Sequence, residues 1–311
     1  MLDFGSRILD QRIAALFLLI KWIEYLDPVS SIQYLASVRV VHHRFELSTK
    51  SCPKRNEILT NAIAVSLTIS KGMTMSYIEE MFDLSGKTAI VAGGAGVIGT
   101  VLSATLLEAG AGVTIWSRSR QSVDTALEKL SVSDDIGRRV SGDCIDTGDE
   151  TAVAAGLEKV ISRCGSPEIL INAVGGNLGK APLVETDIAL FEKVLKLNLT
   201  AGLLVPTKVV AAYWIDNQIK GTIINLASMA SYNPLSGVWA YDAAKAGVLN
   251  LTMGAASEFA PHGIRVNAIA PGFFLGKQNR SLLIDEKTGD YTPRGAAVIH
   301  HTPFGRFGEV E

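Results

Sequence analysis

Cysteine is scarce in this 311-residue sequence: Cys52, Cys144 and Cys164 are odd in number and scattered without metal-ligand spacing. That argues against a disulfide framework or a metal site and points to a reducing, cytoplasmic setting. An excess of charge is missing as well. Lys and Arg number 29 against 31 Asp and Glu, and no basic run is interleaved with aromatics, so no nucleic-acid partner is expected. The apolar run "IAALFLLI" (13–20) stops at Lys21, far short of the roughly 20 residues that span a bilayer. Asp3 and Asp10 precede it and no clean small-residue cleavage site comes after it, which speaks against a signal peptide. No membrane partner is expected.

Glycine is nearly absent from one end. Residues 1–74 hold only Gly5 and Gly72, so 27 of the 29 glycines lie after Met73. The same stretch carries nine Lys/Arg against six Asp/Glu, leaving 20 against 25 for the remainder. A break therefore falls near "KGMTMSYIEEMFDLSGK" (71–87). Residues 1–74 read as an N-terminal extension outside the fold, with Met73 or Met75 as the natural start, and residues 75–311 as one α/β domain.

From Thr88 onward the pattern alternates regularly. "TAIVAG" (88–93), "VTIWS" (113–117), "RRVSGD" (138–143), "EILINAV" (168–174), "GTIINLAS" (221–228) and "IRVNAIAPG" (264–272) read as strands. Helical patterns separate them at 101–110, 122–130, 150–164, about 188–217 and about 239–260. Apolar strands alternating with helices predict a doubly wound parallel sheet of the Rossmann type, covered on both faces. Ligands of such sheets bind beyond the carboxyl ends of the strands. That directs attention to Gly93–Gly99, Asp143, Asn172–Asn177, Ser228 and Pro271–Gly272.

"GAGVIG" (94–99) satisfies G-x-G-x-x-G between a strand and a helix. Glycines let the backbone approach a pyrophosphate, and the helix N-terminus offers free N–H groups. The second strand ends in "WSRSR" (116–120), with Ser117 where many dinucleotide folds place an acid and Arg118 beside it. An arginine can pair with a 2′-phosphate, which tilts the cofactor, NADP or NAD, toward NADP.

"YDAAK" (241–245) sets Tyr241 and Lys245 on one helix face, and Ser228 in "NLASMA" (225–230) lies at the end of the strand before it. Reducing a ketone needs a hydride donor and a proton donor. A free tyrosine titrates at about 10, and a neighbouring ammonium and an oxidised nicotinamide should both lower that value. Ser228 could stabilise charge developing on the substrate oxygen.

Across roughly residues 81–311 the sequence resembles the short-chain dehydrogenase/reductase family. The resemblance implies a nicotinamide-dependent oxidoreductase with catalytic Ser228, Tyr241, Lys245 and, in "LNLT" (197–200), Asn198. It implies cofactor contacts from Gly93, Gly94, Gly96, Ile98 and Gly99, from Ser117 and Arg118, from Asp143 near the adenine, and from Asn172, Tyr241, Lys245, Pro271 and Gly272. The chain departs from the family pattern at Ala92, Val97, Ala173 and Gly276. "NAVGGN" (172–177), "PGFFLGKQNRSLL" (271–283) and "HTPFGRFGE" (301–309) resemble the sugar-acid oxidoreductases of D-mannonate/fructuronate type. A small-molecule substrate with a carboxylate and several hydroxyls is implied, with Asn177, Gln278, Asn279 and Arg280 bordering its pocket. Related readings are a dehydrogenase of another polyol or ketone and a catalytically idle dinucleotide-binding protein. Family members continue past "FGRFGEVE" (304–311) into a helix and a seventh, edge strand, so the chain reads as shortened at its C-terminus, and the homo-oligomer typical of the family is placed in question.

Overall fold

In the computed structural model the chain divides between Glu80 and Met81, and the structure describes residues 81–275 and 280–309. The extension expected at 1–74, and its boundary, lie outside the described residues. From Thr88 onward six strands form one parallel sheet: β1 Thr88–Ala92, β2 Gly112–Ser117, β3 Val140–Cys144, β4 Ile169–Asn172, β5 Thr222–Leu226 and β6 Arg265–Ile269. Their order is 3-2-1-4-5-6. The helices are α1 Val97–Glu108, α2 Arg120–Leu130, α3 Asp134–Arg139, α4 Glu150–Cys164, α5 Ile188–Leu195, α6 Val205–Asp216, α7 Trp239–Phe259, α8 Arg280–Leu283 and α9 Pro293–His300.

The strand sequences explain this layering. All five residues of β1 are buried, and they alternate between two cores. Ile90 and Ala92 join Trp116, Leu170, Trp214 and Ile223 on one face. Ala89 and Val91 join Leu107, Val113, Ile115 and Val123 on the other. A period of two on a strand buried on both sides leaves no polar face to show. Trp214 is fully buried and its indole N–H donates to the carbonyl of Pro167 at 2.6 Å, so the apolar ring is enclosed without an orphaned donor.

Two local expectations need correction. "RRVSGD" was expected as strand from residue 138, but Arg138 and Arg139 close helix α3. Ser133 caps that helix by accepting from Ile136 N, and Arg139 pairs with Asp135 at 2.8 Å. The Arg139 guanidinium also donates to the carbonyls of Leu107 and Ala111 at 2.7 and 2.9 Å, tying α3 to the chain where α1 ends. The second concerns β6, expected to be buried on both faces. Val266 is buried, but Arg265, Asn267 and Ile269 are exposed, and β6 is an edge of the sheet among the described residues.

The long helical stretch after residue 188 is interrupted by a π-helical segment, Lys196–Leu204. Such wider turns recur at functional sites, because an added residue per turn re-aims the side chains around it. This one carries Asn198.

Candidate active site

The loop after β1 is the first part of the site. Gly93 has φ +81° and donates to Trp116 O at 2.8 Å. A Cβ there would come within 2.7 Å of the backbone of Ala173 and Val174, so glycine is required where β1 and β4 diverge. A Cβ on Gly99 would collide with the carbonyl of Gly93. Gly96 is the N-cap of α1, has no side-chain cap and is followed by no acid in the first turn. The opening N–H groups of α1 are thus left available to an anion, which fits a dinucleotide pyrophosphate. Ile98 packs against the core beneath the loop.

At the end of β2, Ser117 is half-buried and Arg118 is exposed. Arg118 makes no ion pair among the described residues, whereas Arg120 is tied to Asp124 at 2.9 Å. Two other residues expected at the cofactor are turned elsewhere. Asp143 accepts from Arg163 at 2.7 Å in an ion pair running to α4; the exposed carboxylate beyond the end of β3 is that of Asp146. Asn172 is 1% exposed, and its amide donates to Thr207 and Asn225 at 2.9 Å each, inside the fold rather than into the crevice.

Four catalytic candidates converge where β5, the π segment and α7 meet. Ser228 begins the turn after β5, its Oγ accepting from Ala230 N at 3.1 Å. Tyr241 lies near enough to Ser228 for that hydroxyl to favour its ionised form. One helical turn further, the Lys245 ammonium lies 5.7 Å from the centroid of the Tyr241 ring. It is 4% exposed and donates to Leu226 O at 2.6 Å. Asn198 is fully buried; its Nδ2 donates to Gly176 O at 2.7 Å and Val194 O at 2.9 Å, and its Oδ1 accepts from Gly176 N at 3.0 Å. Gly175 stands between the last two groups, since a Cβ there would lie 2.6 Å from Asn198 Oδ1 and 3.2 Å from Lys245 Nζ.

Burial sets the electrostatics. It lowers the Lys245 pKa to about 8, because the ammonium has lost water and gained only a carbonyl. Tyr241 was expected to be lowered by that ammonium. Instead burial holds it above its ordinary value of 10, with the Ser228 hydroxyl opposing and the neighbouring Asp242 charge adding to the rise.

Sequence reasoning missed Ser231. Its hydroxyl accepts from Ser228 N at 3.3 Å and donates to Lys245 O at 2.7 Å, tying the serine turn to the tyrosine helix. The signal was a serine three places after Ser228, the spacing of reciprocal capping. Pro271 O accepts from Met229 N at 3.0 Å, which fixes the same turn from the β6 side. A Cβ on the exposed Gly272 would meet nothing within 4 Å, leaving open space beside it.

The substrate residues are less gathered. Asn177 donates back to Gly179 O within its own loop at 2.7 Å. Arg280 is exposed at the start of α8. Gln278 and Asn279 lie outside the described residues. Among the described residues no group of three or more His, Cys, Asp or Glu could hold a metal ion, and no helix is long and apolar enough to cross a membrane.

A parallel sheet in this order, with serine, tyrosine, lysine and asparagine gathered above it, is the architecture of a nicotinamide-dependent oxidoreductase. The short chain dehydrogenase family model matches residues 87–287, and the chain belongs to that family. It is 34% identical over 244 residues to an uncharacterised oxidoreductase, UxuB, of Bacillus subtilis, covering 74% of this chain and 85% of the relative. A provisionally assigned D-mannonate oxidoreductase from Haemophilus influenza with bound NAD matches with TM-score 0.67 and 30% identity, over 75% of this chain and 87% of that one. A gluconate 5-dehydrogenase from Burkholderia cenocepacia, in complex with NADP and tartrate, matches with TM-score 0.65 and 29% identity, over 74% and 85%.

Proposed function

We propose that the chain interconverts a secondary alcohol and a ketone on a sugar acid of the D-mannonate/fructuronate or gluconate kind. The observation that carries this is the convergence of Ser228, Tyr241, Lys245 and Asn198 in one place, beside relatives named for sugar-acid chemistry. The nicotinamide, when bound, supplies the hydride acceptor for alcohol oxidation and the donor for ketone reduction. In oxidation Tyr241 first yields its own proton by way of Lys245, and the phenolate then takes the substrate hydroxyl proton as the C–O bond becomes a carbonyl; in reduction the phenol gives its proton to the carbonyl oxygen and is reprotonated by way of Lys245. Ser228 holds the substrate oxygen through its hydroxyl. Lys245, buried and titrating near neutrality, moves protons between Tyr241 and the opening at Gly175, whose opposite wall Asn198 forms.

Gly93, Gly94, Gly96 and Gly99 are proposed to carry the pyrophosphate, and Ser117 and Arg118 the adenosine ribose. Arg118, exposed and free of an ion pair among the described residues, favours NADP. Arg280 and Asn177 are proposed to meet the carboxylate and hydroxyls of the substrate. The test is a screen of sugar acids and polyols with both coenzymes, monitored by nicotinamide absorbance. Turnover of a sugar acid above that of uncharged polyols supports the reading; preference for an uncharged polyol replaces it.

A further inference from the structure

Asp242 is not accounted for by the chemistry above. It comes directly after Tyr241, sits in the first turn of α7 and is 7% exposed. One carboxylate oxygen accepts from Leu235 N at 3.1 Å; the other is buried without a hydrogen-bond partner. A buried carboxylate with a bare oxygen is costly to keep, and most such positions are apolar. What it holds is informative. Leu235 lies in the loop 232–238 that joins the Ser228 turn to α7. That loop is clipped to the 175–181 loop, since Ala181 N donates to Gly237 O and Trp239 Nε1 to Ala181 O, each at 3.0 Å. Asp242 thus ties the 232–238 loop to α7, and Trp239, itself in α7, ties the 175–181 loop to the same helix.

We propose that Asp242 is a positioning residue for this site: it anchors the 232–238 loop through the Leu235 peptide and holds a buried carboxylate one residue from Tyr241. The proposal rests on Tyr241 being the proton donor. The groups acting on Tyr241 are Ser228 from the turn after β5, Lys245 over its ring face and Asp242 on its own helix; Lys180, on the 175–181 loop, lies along Gly237. The Asp242 charge acts to keep Tyr241 protonated. The same carboxyl is pushed above its ordinary range by burial and drawn back by the Leu235 N–H.

The experiment titrates the chain labelled with 13C at the tyrosine Cζ, with Tyr241→Phe assigning the resonance. Asp242→Asn keeps an acceptor for Leu235 but removes the charge, so the Tyr241 midpoint falls. Asp242→Ala removes both, and hydrogen exchange at the Leu235 amide accelerates more than about tenfold while Asp242→Asn stays near wild type. If Asp242→Ala does not fold, Asp242→Ser, too short to reach Leu235, takes its place. A Tyr241 midpoint unchanged in Asp242→Asn, or a Leu235 amide exchanging equally in wild type and the shortened variant, overturns the proposal. Neither readout needs a substrate, so a failed sugar-acid screen leaves this test standing.

Discussion

Around Tyr241 the polar groups are locked away, whereas at the end of β2 they stand in solvent. Asn172, Asn198, Asn225, Lys245 and Thr252 are each 5% exposed or less. Three of them form a chain in which Asn172 donates to Asn225 and Asn225 to Thr252, 2.9 Å each, joining β4 through β5 to the helix that carries Tyr241 and Lys245. Arg118, by contrast, is exposed and makes no ion pair among the described residues. The contrast teaches how such a site divides its tasks. Catalytic geometry is built into the core, where a buried polar group without its partner is costly. Arg118, the residue proposed to choose the coenzyme, is a surface side chain that can change without disturbing packing.

The contrast can be broken from the buried side first. Tyr241→Phe removes the proton donor alone and is expected to lower kcat by about 100- to 10,000-fold, with coenzyme affinity, measured by fluorescence titration, retained. Near-normal turnover would remove Tyr241 from the chemistry.

Lys245→Met is expected to weaken both coenzyme binding and catalysis, and it carries a signature in stability. The folded-state pKa of about 8 lies below the ordinary 10.5. Between those values the unfolded chain holds a proton that the folded chain has released, so stability rises with pH across that window. The cost of burying the ammonium, on the order of 3 kcal/mol, is fully present below pH 8 and relieved toward 10.5. Urea unfolding should therefore show wild type gaining on Lys245→Met as pH climbs through that range; parallel profiles would mean that Lys245 is not desolvated.

Asn225→Ala sharpens the comparison without touching a reacting group. It removes one partner from the Asn172 amide, which keeps Thr207, and one from the Thr252 hydroxyl, which keeps Val248 O, and should cost about 1–3 kcal/mol in unfolding free energy. Arg118→Ala lies at the other extreme, with stability within about 0.5 kcal/mol of wild type. Its KM for NADPH should rise far more than its KM for NADH; equal changes would favour NAD as the coenzyme.

Much of the fold was legible beforehand because periodicity is a local property. The helix expected at 150–164 is Glu150–Cys164, and the stretches expected near 188–217 and 239–260 end within a residue or two of the observed helices. Asp149 caps the first of these through the N–H groups of Thr151 and Ala152, a signal written in adjacent residues. The π segment was not legible. Its apolar spacing hardly differs from that of an α-helix, and the packing that surrounds it includes Gly202, where a Cβ would sit 2.6 Å from Val174 O.

For the site, the sequence by itself determined which groups are present: a hydroxyl, phenol and ammonium at family spacings, and glycines that bring backbone close at Gly93. These come from residue type and separation along the chain. Tertiary structure decided where each group points and what it costs. Asp143 and Asn172 face a helix and a buried amide network because the fold packs Arg163, Thr207 and Asn225, all distant in sequence, against their strands. Tyr241 sits above its ordinary pKa because water, whose loss no spacing records, has been removed from around it.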